Sequence, residues 1–172
     1  METWIALLRG INVGGKHIVP MKELTKLLES NGFFNVRTYI QSGNVVLQSP
    51  ARPTDEIGQL IEKKFGFKPA VFLLSADGLE KAAADNPYKT DQGKTVHFFF
   101  FDEEPEAVDY EFLDAFKSGS EEYKLIGKVF YLYAPEGIGR SKLVEKIGKA
   151  FPGITMTARN LNTVNKLLEM TG

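Results

Sequence analysis

The sequence predicts an α+β chain built from two tandem halves, each with the order βαββαβ and an antiparallel sheet, plus a C-terminal helix. Three observations lead there. Short runs rich in β-branched and aromatic residues alternate with longer runs whose apolar residues recur at helical spacing, and the same order occurs twice. A polar, turn-prone stretch, Asn86-Pro87-Tyr88-Lys89-Thr90-Asp91-Gln92-Gly93, separates the two occurrences. The 172 residues, 43% hydrophobic and 25% charged, have the balance of a protein large enough to bury a core. The expected organisation is a first half over residues 1–76, a connecting helix and linker over 77–93, and a second half with the closing helix over 94–172.

In order along the chain, Thr3 to Leu8 is a short apolar run that predicts a buried strand, and Arg9-Gly10-Ile11-Asn12-Val13-Gly14-Gly15-Lys16-His17 is too rich in glycine to continue it. Met21, Leu24, Leu27 and Leu28 predict a helix, with Gly32 as its stop. Val36 to Ile40 and Val45 to Leu47 predict a hairpin around Gln41-Ser42-Gly43-Asn44, a turn suited to a positive φ. Asp55 is placed to cap a helix carrying Ile57, Leu60, Ile61 and Phe65, and Ala70 to Leu74 supplies the next strand. A connecting helix around Leu79 to Ala84 leads to the linker. The second round comprises a strand over Thr95 to Phe101, a helix over Val108 to Phe116 and a hairpin of Tyr123 to Ile126 with Val129 to Tyr133. A helix over Arg140 to Ala150 and a strand over Ile154 to Ala158 complete it. Leu161, Val164, Leu167 and Leu168 then share one face of a final helix.

The split βαββαβ order is the ferredoxin-like pattern, with an antiparallel sheet and both helices on one face. A right-handed crossover makes its first two strands parallel, so the loop after strand one and the hairpin after strand two emerge at the same end of the sheet. Here those are residues 9–20 and 41–44.

Composition excludes several classes. Twenty-one Lys and Arg against 22 Asp and Glu give a formal charge of -1, so no global basic field attracts nucleic acid or anionic membrane. No cysteine is present, which removes disulfides, thiolate nucleophiles and cysteine-containing zinc sites. The two histidines, His17 and His97, are not at metal-ligand spacing from another good ligand, and neither a metal nor a cofactor is expected. The first residues carry no basic leader and meet Arg9 too soon for a signal peptide. No apolar run approaches the ~20 residues of a membrane span. The expectation is a cytoplasmic protein without membrane association.

The strings Arg9-Gly10-Ile11-Asn12-Val13-Gly14-Gly15-Lys16, Val19-Pro20-Met21, Tyr39-Ile40-Gln41-Ser42-Gly43-Asn44-Val45-Val46, Arg159-Asn160-Leu161-Asn162-Thr163-Val164 and Lys166-Leu167-Leu168 occur in this order along nearly the whole chain. In this the sequence resembles the bacterial domain-of-unknown-function family 1697. The resemblance implies a tandem ferredoxin-like fold and a bacterial cytoplasmic setting; it brings no established activity or catalytic residue.

Gly10 to Lys16 fits the G-x-x-x-x-G-K part of a phosphate-binding P-loop, and Phe98-Phe99-Phe100-Phe101-Asp102 imitates the strand and acid that complete a nucleotide hydrolase. A P-loop, however, needs Ser or Thr after the lysine to hold magnesium, where this chain has His17, and its helix should begin at the lysine rather than beyond Pro20. Two milder interpretations stand. The glycines expose backbone N–H groups to an anion beside Arg9 and Lys16, or they only serve a long connection whose cations are solvated. On the first, Arg9, Gly10, Asn12, Gly14, Gly15 and Lys16 meet Ser42, Gly43 and Asn44 at one sheet end. Two cations, two amides and a hydroxyl suit anionic oxygens.

Arg159, Asn160 and Asn162, at the start of the last helix, are additional ligand candidates, with capping as the plainer role. Gly137-Ile138-Gly139-Arg140-Ser141-Lys142 offers either a further anion cup or an ordinary helix entry. Phe98 to Phe101 with Phe130, Tyr131 and Tyr133 echo the stacking strands of RNA-recognition domains, but Asp102, Glu103, Glu104 and Glu106 lie next door and repel phosphate. No base can be assigned to Ser42 as a nucleophile. The residues therefore name no reaction. They favour a binding module for a small anionic or phosphate-bearing ligand, and in second place a protein-interaction or homodimerisation module, with no general nucleic-acid binding.

Overall fold

The computed structural model describes all 172 residues, Met1–Gly172. They form two compact units, one of Met1–Lys81 with Asn165–Gly172 and the other of Ala82–Val164.

The first unit runs β1 (Glu2–Leu8), α1 (Met21–Glu29), β2 (Phe34–Tyr39), β3 (Asn44–Ser49), α2 (Glu56–Phe65), β4 (Val71–Ser75) and α3 (Ala76–Ala84, extending into the second unit). Its sheet has the order β2-β3-β1-β4. β1 pairs antiparallel with β3 and β4, and β2 pairs antiparallel with β3, so β1 and β2 point the same way. On one face Trp4, Ala6, Leu8, Val45 and Leu47 pack with Met21, Leu24 and Leu28 of α1 and Ile57 and Ile61 of α2. Burying one stripe of each helix against the sheet is the main source of stability in such a layer. Ile5, Leu7 and Val46, on the alternate face, are also fully buried, which explains why β1 reads as an unbroken apolar run.

Local chemistry sets the ends of these elements. Gly66, in the left-handed region, closes α2 by donating its N–H to Glu62 O. β2 stops at Tyr39, one residue before the predicted end, because Ile40 turns the chain with φ 49°. It also starts earlier than the apolar pattern suggests, at Phe34. The register with β3 shifts between Phe34 and Arg37, with Asn35 at φ 48°, so this outer strand carries a bulge.

The second unit continues with β5 (Val96–Phe101), α4 (Tyr110–Phe116), β6 (Glu122–Ile126), β7 (Val129–Tyr133), α5 (Lys142–Ala150), β8 (Met156–Asn160) and the beginning of α6 (Leu161–Thr171). Its sheet order, β6-β7-β5-β8, repeats that of the first, and every pairing is antiparallel. Phe99, Phe101, Phe130 and Leu132 pack with Leu113 of α4 and Leu143, Ile147 and Phe151 at α5. Capping fixes the helix starts two residues later than periodicity alone suggests. Asp109 accepts from Phe112 N ahead of α4, and Ser141 accepts from Val144 N ahead of α5. The linker ends in a single 3-10 turn, Gly93–Thr95.

The two halves are thus tandem ferredoxin-like βαββαβ units with antiparallel sheets and a C-terminal helix, as the element order predicts. No helix is long and apolar enough to cross a membrane.

Candidate functional site

At the end of the first sheet where β1 and β2 both finish, the glycine-rich loop and the β2–β3 turn are joined. Leu8 N donates to Gly43 O at 2.8 Å, and Arg9 N donates to Ala70 O at 3.0 Å, so the chain leaving β1 is held on both sides. Beyond Arg9 the backbone folds into a miniature hairpin. Asn12 N donates to His17 O and Lys16 N donates to Val13 O, each at 3.0 Å, around Gly14 and Gly15. Both glycines have positive φ (59° and 73°), the geometry of a two-residue primed turn. The loop is therefore no phosphate-wrapping P-loop. Lys16 sits in a tight turn five residues ahead of α1, and the helix begins after Pro20 without a side-chain cap. Asp102, the imitation of the hydrolase acid, accepts instead from Thr155 N at 2.9 Å.

Asn12 holds the arrangement together. Its carboxamide pairs with Val19 as a neighbouring strand would, donating to Val19 O at 3.0 Å and accepting from Val19 N at 2.7 Å. The same Nδ2 donates to Gln41 O at 2.7 Å across the gap to the hairpin. Asn12 itself lies at φ 54°, a region asparagine tolerates better than most residues. Asn44 has a similar internal role: it is fully buried, and its Nδ2 donates to Tyr39 O at 3.1 Å and Ser42 Oγ at 2.9 Å. Gly43, with φ 91°, lies where a Cβ would fall 2.8 Å from Leu8 Cβ and 3.0 Å from Ile11 Cδ1. Only glycine fits that contact.

Arg9, Gly10, Gly14, Gly15, Lys16 and Ser42 are exposed on the surface of this loop pair, whereas Gly43 is buried. The sequence-predicted residues of the first unit are thus brought together, but in two layers. Asn12 and Asn44 build the frame, and Arg9 and Lys16 stand outside it. Sequence reasoning missed His17, whose ring stacks on Phe67 with centroids 4.2 Å apart and planes 13° apart, and whose Nδ1 lies 3.3 Å from Gly10 O. A histidine at φ 51° in a glycine loop is a signal by type, since histidine is enriched there, but its partner fifty residues away leaves none. Sequence also gave no sign of Ile40 at φ 49°, a β-branched residue in a conformation that such side chains resist.

The additional candidates lie in the second unit. Arg159, on β8 opposite Phe98, is buried and donates from Nη1 to Thr157 Oγ1 and Ala158 O, each at 2.8 Å. Burial pulls its guanidinium down to about 10. Asn160 caps α6, accepting from Thr163 N at 3.0 Å. Asn162 closes over Gly93, its Oδ1 at the place a Cβ there would occupy. Phe98, Phe100 and Tyr131, the rings of the RNA-recognition echo, are buried, whereas base stacking requires an exposed platform.

A family model described as "Protein of unknown function (DUF1697)" matches residues 1–131. Among solved structures, the chain is similar to the conserved bacterial protein SP0830 from Streptococcus pneumoniae. That protein is 24% identical, with a TM-score of 0.65 and 99% of each chain covered, a likeness of fold. No curated protein matches.

Proposed function

The chain belongs to the DUF1697 family of proteins of unknown function, and we propose that its first unit is a recognition module for a small anionic or phosphate-bearing ligand, held at the joined loops of residues 9–17 and 41–44. The concentration of unusual backbone at this one sheet end supports the proposal. Of the four non-glycine residues with positive φ, three, Asn12, His17 and Ile40, are found there, together with Gly10, Gly14, Gly15 and Gly43. Such conformations persist only where surrounding structure enforces them, and they concentrate at recognition sites because they fix donors in advance. The enforcement is the Asn12 clip and the Leu8–Gly43 bond. Arg9 and Lys16 stand on the exposed side, supplying the charge an anion needs.

The test is a thermal-shift and amide-NMR titration of the whole chain with inorganic phosphate, pyrophosphate and citrate. At least one should raise the melting temperature by mass action and move the amides of residues 9–17 and 41–44, with the effect reduced in Lys16→Ala. If none of the three moves those amides, the proposal fails.

A second reading has its own observation. Val13 (65% exposed), Ile18 (56%) and Ile40 (50%) place large aliphatic side chains in solvent on the same two loops, a feature of protein contact surfaces. On this reading the loops hold a protein partner or a second copy. Concentration-dependent association, abolished by Val13→Ser with Ile18→Ser and insensitive to phosphate, would favour it over anion binding.

A further inference from the structure

In the second unit, the loop between α4 and β6 and the loop entering α5 border a cavity of about 640 Å³, inside the range of roughly 300–1,000 Å³ typical of small-molecule sites. The two loops are clamped together by one buried carboxylate. Glu121 accepts from Ser118 N at 2.9 Å through Oε1 and from Ser141 Oγ at 2.6 Å through Oε2, and is only 5% exposed. Lys117 is tied into the same frame, donating to Ser118 O and Glu121 O. Ser141 in turn caps α5 by accepting from Val144 N, so the first turn of that helix is answered by its own side chain. Recognition of charge then falls to the exposed cations on the cavity wall, Arg140 and Lys142.

The wall also carries Glu136, exposed and accepting from Ser120 Oγ at 2.6 Å. This mixture narrows the ligand. A bare anion would meet the carboxylates of Glu121 and Glu136, and a neutral sugar would leave two cations without an anionic partner. A small frame with both a phosphate and hydroxyl donors satisfies each group, since carboxylates accept from hydroxyls and a guanidinium and an ammonium hold phosphate oxygens. We propose that this cavity binds a phosphorylated sugar or polyol, its phosphate on Arg140 and Lys142 and a hydroxyl on Glu136. The site is independent of the loops of the first unit.

Calorimetric titration of the whole chain with ribose 5-phosphate, and in parallel with ribose and with inorganic phosphate, tests the assignment. Ribose 5-phosphate should bind more tightly than either fragment. Replacing both Arg140→Gln and Lys142→Gln, exposed positions whose loss leaves the Glu121 clamp intact, should weaken it by about tenfold or more, the equivalent of a single charge-assisted contact. Glu136→Gln should weaken ribose 5-phosphate while leaving phosphate unchanged or tighter, and the part of the binding that the double substitution removes should persist in Lys16→Ala, which weakens only the loops of the first unit. No binding of ribose 5-phosphate at millimolar concentration, or binding indifferent to the double substitution, overturns the site. Phosphate binding that is as tight as that of ribose 5-phosphate and is lost in the double substitution overturns the ligand class.

Discussion

Asn12 Nδ2 donates to the carbonyl of Gln41 at 2.7 Å, joining two loops that are 29 residues apart in the chain. The bond exists because β1 and β2 run in the same direction through their shared neighbour β3, which delivers both loops to one end of the sheet. Truncation to Asn12→Ala deprives Val19 N, Val19 O and Gln41 O of their partner at once, and should destabilise the protein by about 2 kcal/mol in chemical denaturation. Asn12→Gly retains the positive φ without the bonds, and should lose less than alanine by the left-handed penalty of ~1 kcal/mol.

Gly43 and Gly15 share a positive φ but differ in surroundings. A Cβ at 43 meets Leu8 and Ile11, whereas one at 15 meets nothing within 4 Å. Gly15→Ala should therefore cost about 1 kcal/mol, the backbone penalty alone. Gly43→Ala should cost clearly more and loosen the Leu8–Gly43 bond, seen as faster hydrogen exchange at the Leu8 amide.

His97 supplies a pH dependence. Its ring is buried on β5, Nε2 has no hydrogen-bond partner, and burial holds its pKa below the ordinary 6.5 against the opposing bond to the Lys94 backbone. The unfolded chain thus binds a proton that the folded chain refuses, so stability must fall as pH drops below about 6.5 toward the folded pKa. Urea denaturation between pH 7.5 and 5 should show a slope that is reduced in His97→Leu. An unchanged slope in that variant would assign the acid sensitivity to other groups.

Gly93 and Asn162 are sterically coupled: a Cβ at 93 would lie 2.1 Å from Asn162 Oδ1. Gly93→Ala should destabilise the chain by about 2 kcal/mol or more. Asn162→Ala should recover a large part of that loss, although Asn162 N at 3.1 Å keeps the site tight. A double-mutant cycle without a coupling of at least ~0.5 kcal/mol would contradict this geometry.

The element order was legible because two periodicities, two and 3.6, change over at glycines and prolines that also terminate the elements. The candidate site was legible only in its position. Topology places residues 9–17 beside 41–44, and this follows from strand order without any side-chain detail. The roles within it were not, because a carboxamide that builds a frame and one that binds a ligand are the same residue type. Asn12 and Asn44 differ from surface asparagines only in what surrounds them, Val19 and Gln41 for one and Tyr39 for the other. The His17–Phe67 stack and the turn at Ile40 lay beyond sequence reasoning for a related reason. Each is imposed by tertiary packing against local preference.

The bulge on β2 has a consequence for assembly. β2 is an outer strand of its sheet, and its register breaks between Phe34 and Arg37 where Asn35 takes φ 48°. An interrupted, locally twisted rim presents no even row of amide and carbonyl groups for a foreign strand to continue. Peptides that extend a host sheet, and amyloid-like growth from this border, are thereby discouraged even though half-exposed Phe34 would otherwise invite them. Straightening the rim, for instance by deleting Asn35, would restore a template there and raise the tendency to form fibrils.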